Sequence, residues 1–125
     1  MVMAHFMKST ISDLLPRIPG LATEKWPQGE PFAVAFRHGT MTVELFAPKG
    51  TDTQAPHAQD ELYFIHSGSG TFVLEGERHA FAPGTCFFVR AGAEHRFVDF
   101  TPDFATWVVF WGQPGGEAAA PALSL

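Results

Sequence analysis

Cysteine is nearly absent from this chain of 125 residues: the single Cys86 excludes an internal disulfide and favours a reducing, cytoplasmic setting. Basic charge is scarce as well. Eight Lys and Arg against 13 Asp and Glu give a formal net charge of −5 and no basic stripe, so nucleic acid is not an expected partner. No apolar run reaches the 18 residues of a membrane-spanning helix, and no cationic segment leads into a long apolar one, so neither membrane insertion nor a secretory leader is expected. The sequence also lacks internal repeats.

What remains is apolar and heavily punctuated. The chain is 46% hydrophobic with 13 Phe and 3 Trp and only 17% charged, enough to fill one core and too apolar for disorder over most of its length. Ten Pro and 12 Gly suit many short strands joined by tight turns. Ser9 or Ser12 is expected to cap a short helix that sets Ile11, Leu14 and Leu15 on one face and ends at Pro16 and Pro19-Gly20. Strands are expected at 32–38, 41–47, 62–66, 71–75, 86–89, 95–100 and 106–111, with one more between Gly76 and Pro83-Gly84, about eight in all. Residues 1–30 are read as helix and linker packing on a barrel of residues 31–112, with 113–125 as a flexible tail.

Pro56-His57, Asp60-Glu61 and a later His95 stand on β-like runs separated by turn signals. Two imidazoles and a carboxylate are the donor set of an open transition-metal site. The segment from Gly50 through His57 and Glu61 to Gly68 resembles the first signature of the cupin family, in which a glycine precedes two histidines, a glutamate and a second glycine. Gly84 through Gly92 and His95 to Asp99 resembles the second signature, and the 15 residues between Gly68 and Gly84 match the short end of the family's spacing. The chain departs from that pattern at several positions. Ala55 stands at the first-histidine position, or, if the loop slips by one residue, Gln54 stands there and Pro56 replaces the second histidine. Arg90 occupies a usual proline and Asp99 a usual asparagine.

The resemblance implies an all-β jelly-roll barrel with one short N-terminal helix, and one divalent ion, Fe, Mn, Ni or Zn, held by His57, Glu61 and His95 with Gln54 as a weaker fourth ligand. It also implies a small metal-dependent enzyme of dioxygenase, isomerase or lyase type acting on a small organic molecule. Glu61 or Asp60 would then move a proton while Tyr63 and Arg90 orient an anionic group. The other reading is a binding or sensing module that kept the barrel and lost the ion.

Strand geometry constrains these roles. In a straight strand His57 and Glu61 would lie about 13 Å apart, whereas two ligands must each come within about 2.2 Å of one ion. The chain must therefore turn between them, through a corner at Ala58-Gln59-Asp60 or, less in keeping with Tyr63-Phe64-Ile65, through a helical turn. With Glu61 inward, Tyr63 and Ile65 follow it and Leu62, Phe64 and His66 face out, so His66 is a poor ligand; His5, His38 and His79 lack a neighbouring motif. Phe88, Phe97, Tyr63 and Trp107 are candidates for an apolar pocket wall. Asp99 shares the His95 face and is expected behind the ligands, and Cys86 is expected as a buried, inert thiol. The runs 62–65 and 107–111 are apolar on both faces, more than one barrel interior can use, which predicts a homodimer.

Overall fold

The computed structural model describes residues 7–118, in which a short helix, α1 (Ile11–Leu14), and a single 3-10 turn (Leu15–Arg17) precede eight strands. These are β1 (Phe32–His38), β2 (Met41–Phe46), β3 (Asp60–Ser67), β4 (Gly70–Leu74), β5 (Glu77–Phe81), β6 (Cys86–Val89), β7 (His95–Val98) and β8 (Ala105–Trp111). The helix cap is Thr10, lying between the two serines expected to supply it. Its extended backbone lets its hydroxyl accept from Asp13 N at 3.2 Å while Asp13 accepts from Thr10 N at 3.0 Å, a reciprocal pair that neither serine can complete.

Five strands form one sheet in the order β1-β2-β8-β3-β6, and three form a second in the order β5-β4-β7, all pairs antiparallel. The all-β expectation is therefore met. Glu44, Val108, Tyr63 and Phe87 lie side by side across the larger sheet, as do Thr42, Phe110, Glu61 and Val89 one step along. Side chains alternate along each strand, so these two rows face the same way, into the space between the sheets.

That space is filled by Phe46, Tyr63, Ile65, Phe72, Phe81, Val89, Phe97, Phe104 and Val108, all buried. Phe72 stacks on Phe87 and on Phe97 with ring centroids 4.5 Å apart in each case. Each such buried ring is worth about 2–3 kcal/mol of burial, so the core accounts for the sheets' closure. The turn before β4 comes so close to the chain ahead of β8 that only glycine fits at Gly68. Its φ is +83°, and a Cβ there would lie 2.6 Å from Phe104 Cα.

Among the described residues, one cluster covers part of the opposite face of the larger sheet. Leu14 packs with Ala33, Leu45, Ala47 and Ala105, flanked by Ile11, Ile18 and Trp107. Trp107 thus belongs to this outer layer, and Phe88 is 54% exposed; neither lines the barrel, because both fall on the alternate phase to Glu61. Cys86 is exposed on that same face and is not a buried thiol. Strand β7 ends at Val98 because Asp99 takes a left-handed φ of +50°. That turns Asp99 outward to Arg78, 3.5 Å away, with its side chain 80% exposed, so it does not stand behind His95.

Of the expected tail, residues 113–118 are described and 119–125 lie outside the described residues, as does His5. Gly115 N donates to Ala58 O at 2.7 Å, and Glu117 N to Asp60 Oδ2 at 2.8 Å. This part of the chain therefore closes onto the start of β3. Among the described residues no helix is long and apolar enough to cross a membrane.

Candidate metal centre

Three segments deliver the donor atoms. Glu61 is the second residue of β3, hydrogen-bonded into the sheet between Val89 and Phe110, and its side chain is 1% exposed. His57 stands before the strand, where the chain bends at Ala58-Gln59 as the distance between the two residues requires. Its carbonyl accepts from Gly92 N at 2.8 Å, which ties the bend to the turn ahead of the third donor. Gln59 fixes the corner from the far side, donating to Gly112 O at 2.8 Å and Thr40 O at 3.0 Å. His95 opens β7, paired with Leu74 of β4, so the two sheets meet at this point.

The donor atoms of His57, Glu61 and His95 all lie within 4.8 Å of one another. His57 Nδ1 is 3.3 Å from Glu61 Oε2, and His95 Nε2 is 2.7 Å from Glu61 Oε1. Close as they are, the groups do not aim at each other. His57 Nδ1, Glu61 Oε2 and His95 Nε2 are buried atoms with no aligned hydrogen-bond partner, a costly arrangement in a closed protein. An ion between them would satisfy all three, and imidazole with carboxylate is a donor set that Fe(II), Mn(II), Ni(II) and Zn(II) accept. His95 Nδ1 is 2.9 Å from Ala93 O; a hydrogen bond there puts the ring proton on Nδ1 and leaves Nε2 as the donor. The residues present therefore fit a divalent ion.

Electrostatics follow from the same packing. Burial works to raise the Glu61 pKa, but the two imidazoles prevail and hold it below the usual carboxylate range. Burial works to lower that of His95, and the Glu61 carboxylate outweighs it, raising the pKa. Tyr63, buried beside Glu61 and Asp52, is pushed well above the usual phenol range and stays a neutral donor. Its hydroxyl is 3.2 Å from Glu61 Oε1 and 3.2 Å from Gln54 Oε1, and its one proton serves one of them at a time. Gln54 also donates from Nε2 to Asp52 Oδ2 at 2.7 Å, so both ends of its amide are engaged and it reaches the donor cluster through Tyr63.

Two residues expected in proton transfer or substrate orientation are placed elsewhere. Asp60 lies on the other phase of β3 from Glu61, and its carboxylate accepts from Ala91 N at 2.9 Å and from Glu117 N at 2.8 Å. Those two donors hold its pKa below the usual carboxylate range, so it is a fastener between segments and not an acid or base at the cavity. Arg90 points outward, 63% exposed, and pairs with Glu75 at 3.0 Å on the outer surface.

A cavity of about 230 Å³ reaches the centre at His57 and is bounded by Tyr63, Gln54, Phe32, Phe46, Val108 and Phe110, with Trp26, Lys25 and Glu44. A larger groove of about 560 Å³, between residues 18–31 and the loop 46–54, shares Trp26, Lys25, Phe46 and Gln54 with it. Of the four expected wall residues, Tyr63 lines the cavity and Phe97 lies behind it in the core. Glu44 and Asp52 were not legible as site residues. Asp52 is 2% exposed and accepts from Phe97 N at 2.9 Å, bracing the loop that leads to His57; burial raises its pKa, against the pull of its hydrogen bonds.

The model of the cupin domain matches residues 42–111 of this sequence. The chain belongs to the cupin family. The uncharacterized protein SCO3923 of Streptomyces coelicolor is 34% identical over 96 residues, which cover 75% of this cupin and 91% of that protein. Among solved structures, KdgF from a Halomonas species superposes with a TM-score of 0.58 at 20% identity, over 66% of this chain and 77% of that one. A cupin 2 conserved barrel domain protein from Salinispora arenicola gives a TM-score of 0.56 at 17% identity, over 65% and 74%. At those identities the likeness concerns the fold, a cupin jelly roll, and the donor cluster stands on this chain's own geometry.

Proposed function

We propose that this cupin is a metal-dependent enzyme of dioxygenase, isomerase or lyase type acting on a small organic molecule. The observation that carries the reading is the set of three buried donor atoms without an aligned hydrogen-bond partner, in a cluster that a cavity reaches at His57. Three protein donors are fewer than the four or more that a first-row divalent ion takes, which leaves positions for a substrate. The ion would act as a Lewis acid or oxygen activator. Around it Phe32, Phe46, Val108 and Phe110 would exclude water from an apolar substrate body, while Tyr63 donates a hydrogen bond that orients Glu61.

Protein purified without a polyhistidine tag is expected to hold bound Fe, Mn, Ni or Zn, and His57→Ala, Glu61→Gln and His95→Ala are expected to lose it. A wild type that stays metal-free after reconstitution with each ion, with His57→Ala changing nothing, would overturn the reading. A second reading, a binding or sensing cupin without turnover, is favoured by Ala55 at the first-histidine position and by the engagement of the Gln54 amide with Tyr63 and Asp52. Saturable ligand binding with no chemical change in the loaded protein would support it.

The proposed assembly is a homodimer through the part of the larger sheet's outer face that the described residues leave open. Phe64 and Phe88 are 44% and 54% exposed there, and Phe88 meets Trp111 with ring centroids 6.2 Å apart, an apolar area that a monomer rarely leaves open. The exposed thiol of Cys86 on that face suits the proposed cytoplasmic setting.

A further inference from the structure

Several buried carboxyl groups crowd this end of the barrel, and all but one are committed. Glu61 faces two imidazoles, Asp52 accepts from Phe97 N and Gln54, and Asp60 accepts from Ala91 N and Glu117 N. Glu44 is the exception. It stands in mid β2 on the inward row beside Val108, borders the cavity together with His57 and Tyr63, and receives no side-chain hydrogen bond among the described residues. Phe32, Phe46, Val108 and Phe110 around it cannot replace lost water around a carboxylate, and the polar groups that share the cavity, on Lys25, Trp26, Gln54, His57 and Tyr63, make no hydrogen bond to it. A half-buried acid without a protein partner costs stability, and such groups gather where a ligand supplies the partner.

We infer that Glu44 is the proton-transfer residue of this site, exchanging a proton with a carbonyl- or hydroxyl-bearing ligand held between it and the His57, Glu61 and His95 cluster. The inference rests on the metal-dependent reading and gives it a reaction class. The C–H bond next to the ligand's carbonyl breaks, its proton passes to the Glu44 carboxylate, and the electron pair moves onto the carbonyl oxygen as an enolate. Return of the proton to the same carbon, on either face, restores the carbonyl and completes exchange or epimerisation with no further reactant. An ion held by His57, Glu61 and His95 would polarise that carbonyl.

Electrostatics agree with the geometry. Burial, then the negative charge of Glu61 and more weakly Glu30, raise the Glu44 pKa from 4.5 to about 7, with Arg37 of β1 pulling the other way. Lys25 from the linker and His57 and Tyr63 from the cavity wall are the remaining titratable groups that face it. A base poised near neutrality is the most effective kind.

The test uses metal-loaded wild type, Glu44→Gln and Glu44→Asp in D2O with three probes, pyruvate, glycolaldehyde and glucuronate, followed by proton NMR. Wild type is expected to exchange the hydrogen next to the carbonyl of at least one probe faster than buffer with free metal. Glu44→Gln should lose that rate about 100-fold or more, with metal content unchanged, and Glu44→Asp should recover part of it. In parallel, protein carrying carboxyl-labelled glutamate should show one carbon resonance titrating near neutral pH that is missing in Glu44→Gln. Glu44→Gln exchanging at the wild-type rate, that resonance persisting in it, or loaded wild type exchanging none of the probes overturns the role of Glu44. A chain that binds no ion fails at the earlier reading; one that binds it without exchange fails here alone.

Discussion

His95 Nε2 lies 2.7 Å from Glu61 Oε1, and both side chains are 1% exposed. In protein stripped with a chelator this is a buried imidazolium–carboxylate pair, and its two halves respond oppositely to pH. The Glu61 pKa is lowered in the fold, so its contribution is present above the ordinary 4.5 and lost as pH falls through the folded value. The His95 pKa is raised, so its contribution is full below the ordinary 6.5 and lost as pH rises through the folded value. Thermal melts of stripped protein should therefore peak between about pH 4.5 and 6.5. A melting temperature still rising from pH 7 to 8 would contradict the pairing.

A divalent ion should reverse the alkaline limb. It binds the neutral imidazoles and the carboxylate, the forms that rising pH favours, and it binds only the folded arrangement. At an ion concentration of 100 times Kd the gain is about 2.7 kcal/mol, visible as a higher melting temperature at pH 8 that His95→Ala lacks. Equal stabilisation of wild type and His95→Ala would place the ion elsewhere.

Asp60→Ala should cost stability and spare metal content. It leaves the N–H groups of Ala91 and Glu117 without their acceptor, at a cost of about 1–3 kcal/mol in urea denaturation. Because the Asp60 pKa is lowered by those donors, the wild-type advantage should be present above the ordinary carboxylate range and shrink as pH falls through the folded value. An unchanged urea midpoint at pH 7 would refute the fastening role.

Gly68→Ala and Gly50→Ala separate close approach from backbone strain. Both glycines have positive φ, +83° and +74°, but a Cβ meets Phe104 backbone at 2.6 Å in the first and nothing within 4 Å in the second. Gly50→Ala should cost about 1–2 kcal/mol, and Gly68→Ala about 4 kcal/mol or more, or fail to fold. Equal losses in the two variants would count against the close approach.

Phe64→Lys with Phe88→Lys should yield a monomer near 13.7 kDa by light scattering, with the wild type at twice that mass. A monomeric wild type at micromolar concentration would remove the dimer proposal.

Much of the larger sheet was readable because Glu61 fixes the phase of β3, and Tyr63, Ile65, Leu62 and Phe64 follow from alternation. The corner between His57 and Glu61 was readable from distance alone. Glu44 was hidden because β2 is apolar on both sides of it: Leu45 lies outward under Leu14 while Phe46 lies inward, so alternation offers no phase. Phe88 and Cys86 misled for the converse reason, since an apolar strand reads as buried whether or not anything covers its second face. Asp99 depended on one left-handed residue, and Asp52 on an irregular loop with no period to read.

The hydrogen bonds of Gly115 and Glu117 to Ala58 and Asp60 bear on the order of assembly during synthesis. All three donor residues have been made once His95 has been added, and Gly92 and Thr40 then hold part of the bend after His57, yet its bonds to Gly112, Gly115 and Glu117 wait until residues 112–117 arrive. Loose hydrophobic barrels are at their most aggregation-prone at that stage. An ion captured firmly only by the fully braced corner would mark the closed barrel, acting as a late lock on a fold whose contacts span most of the barrel's length.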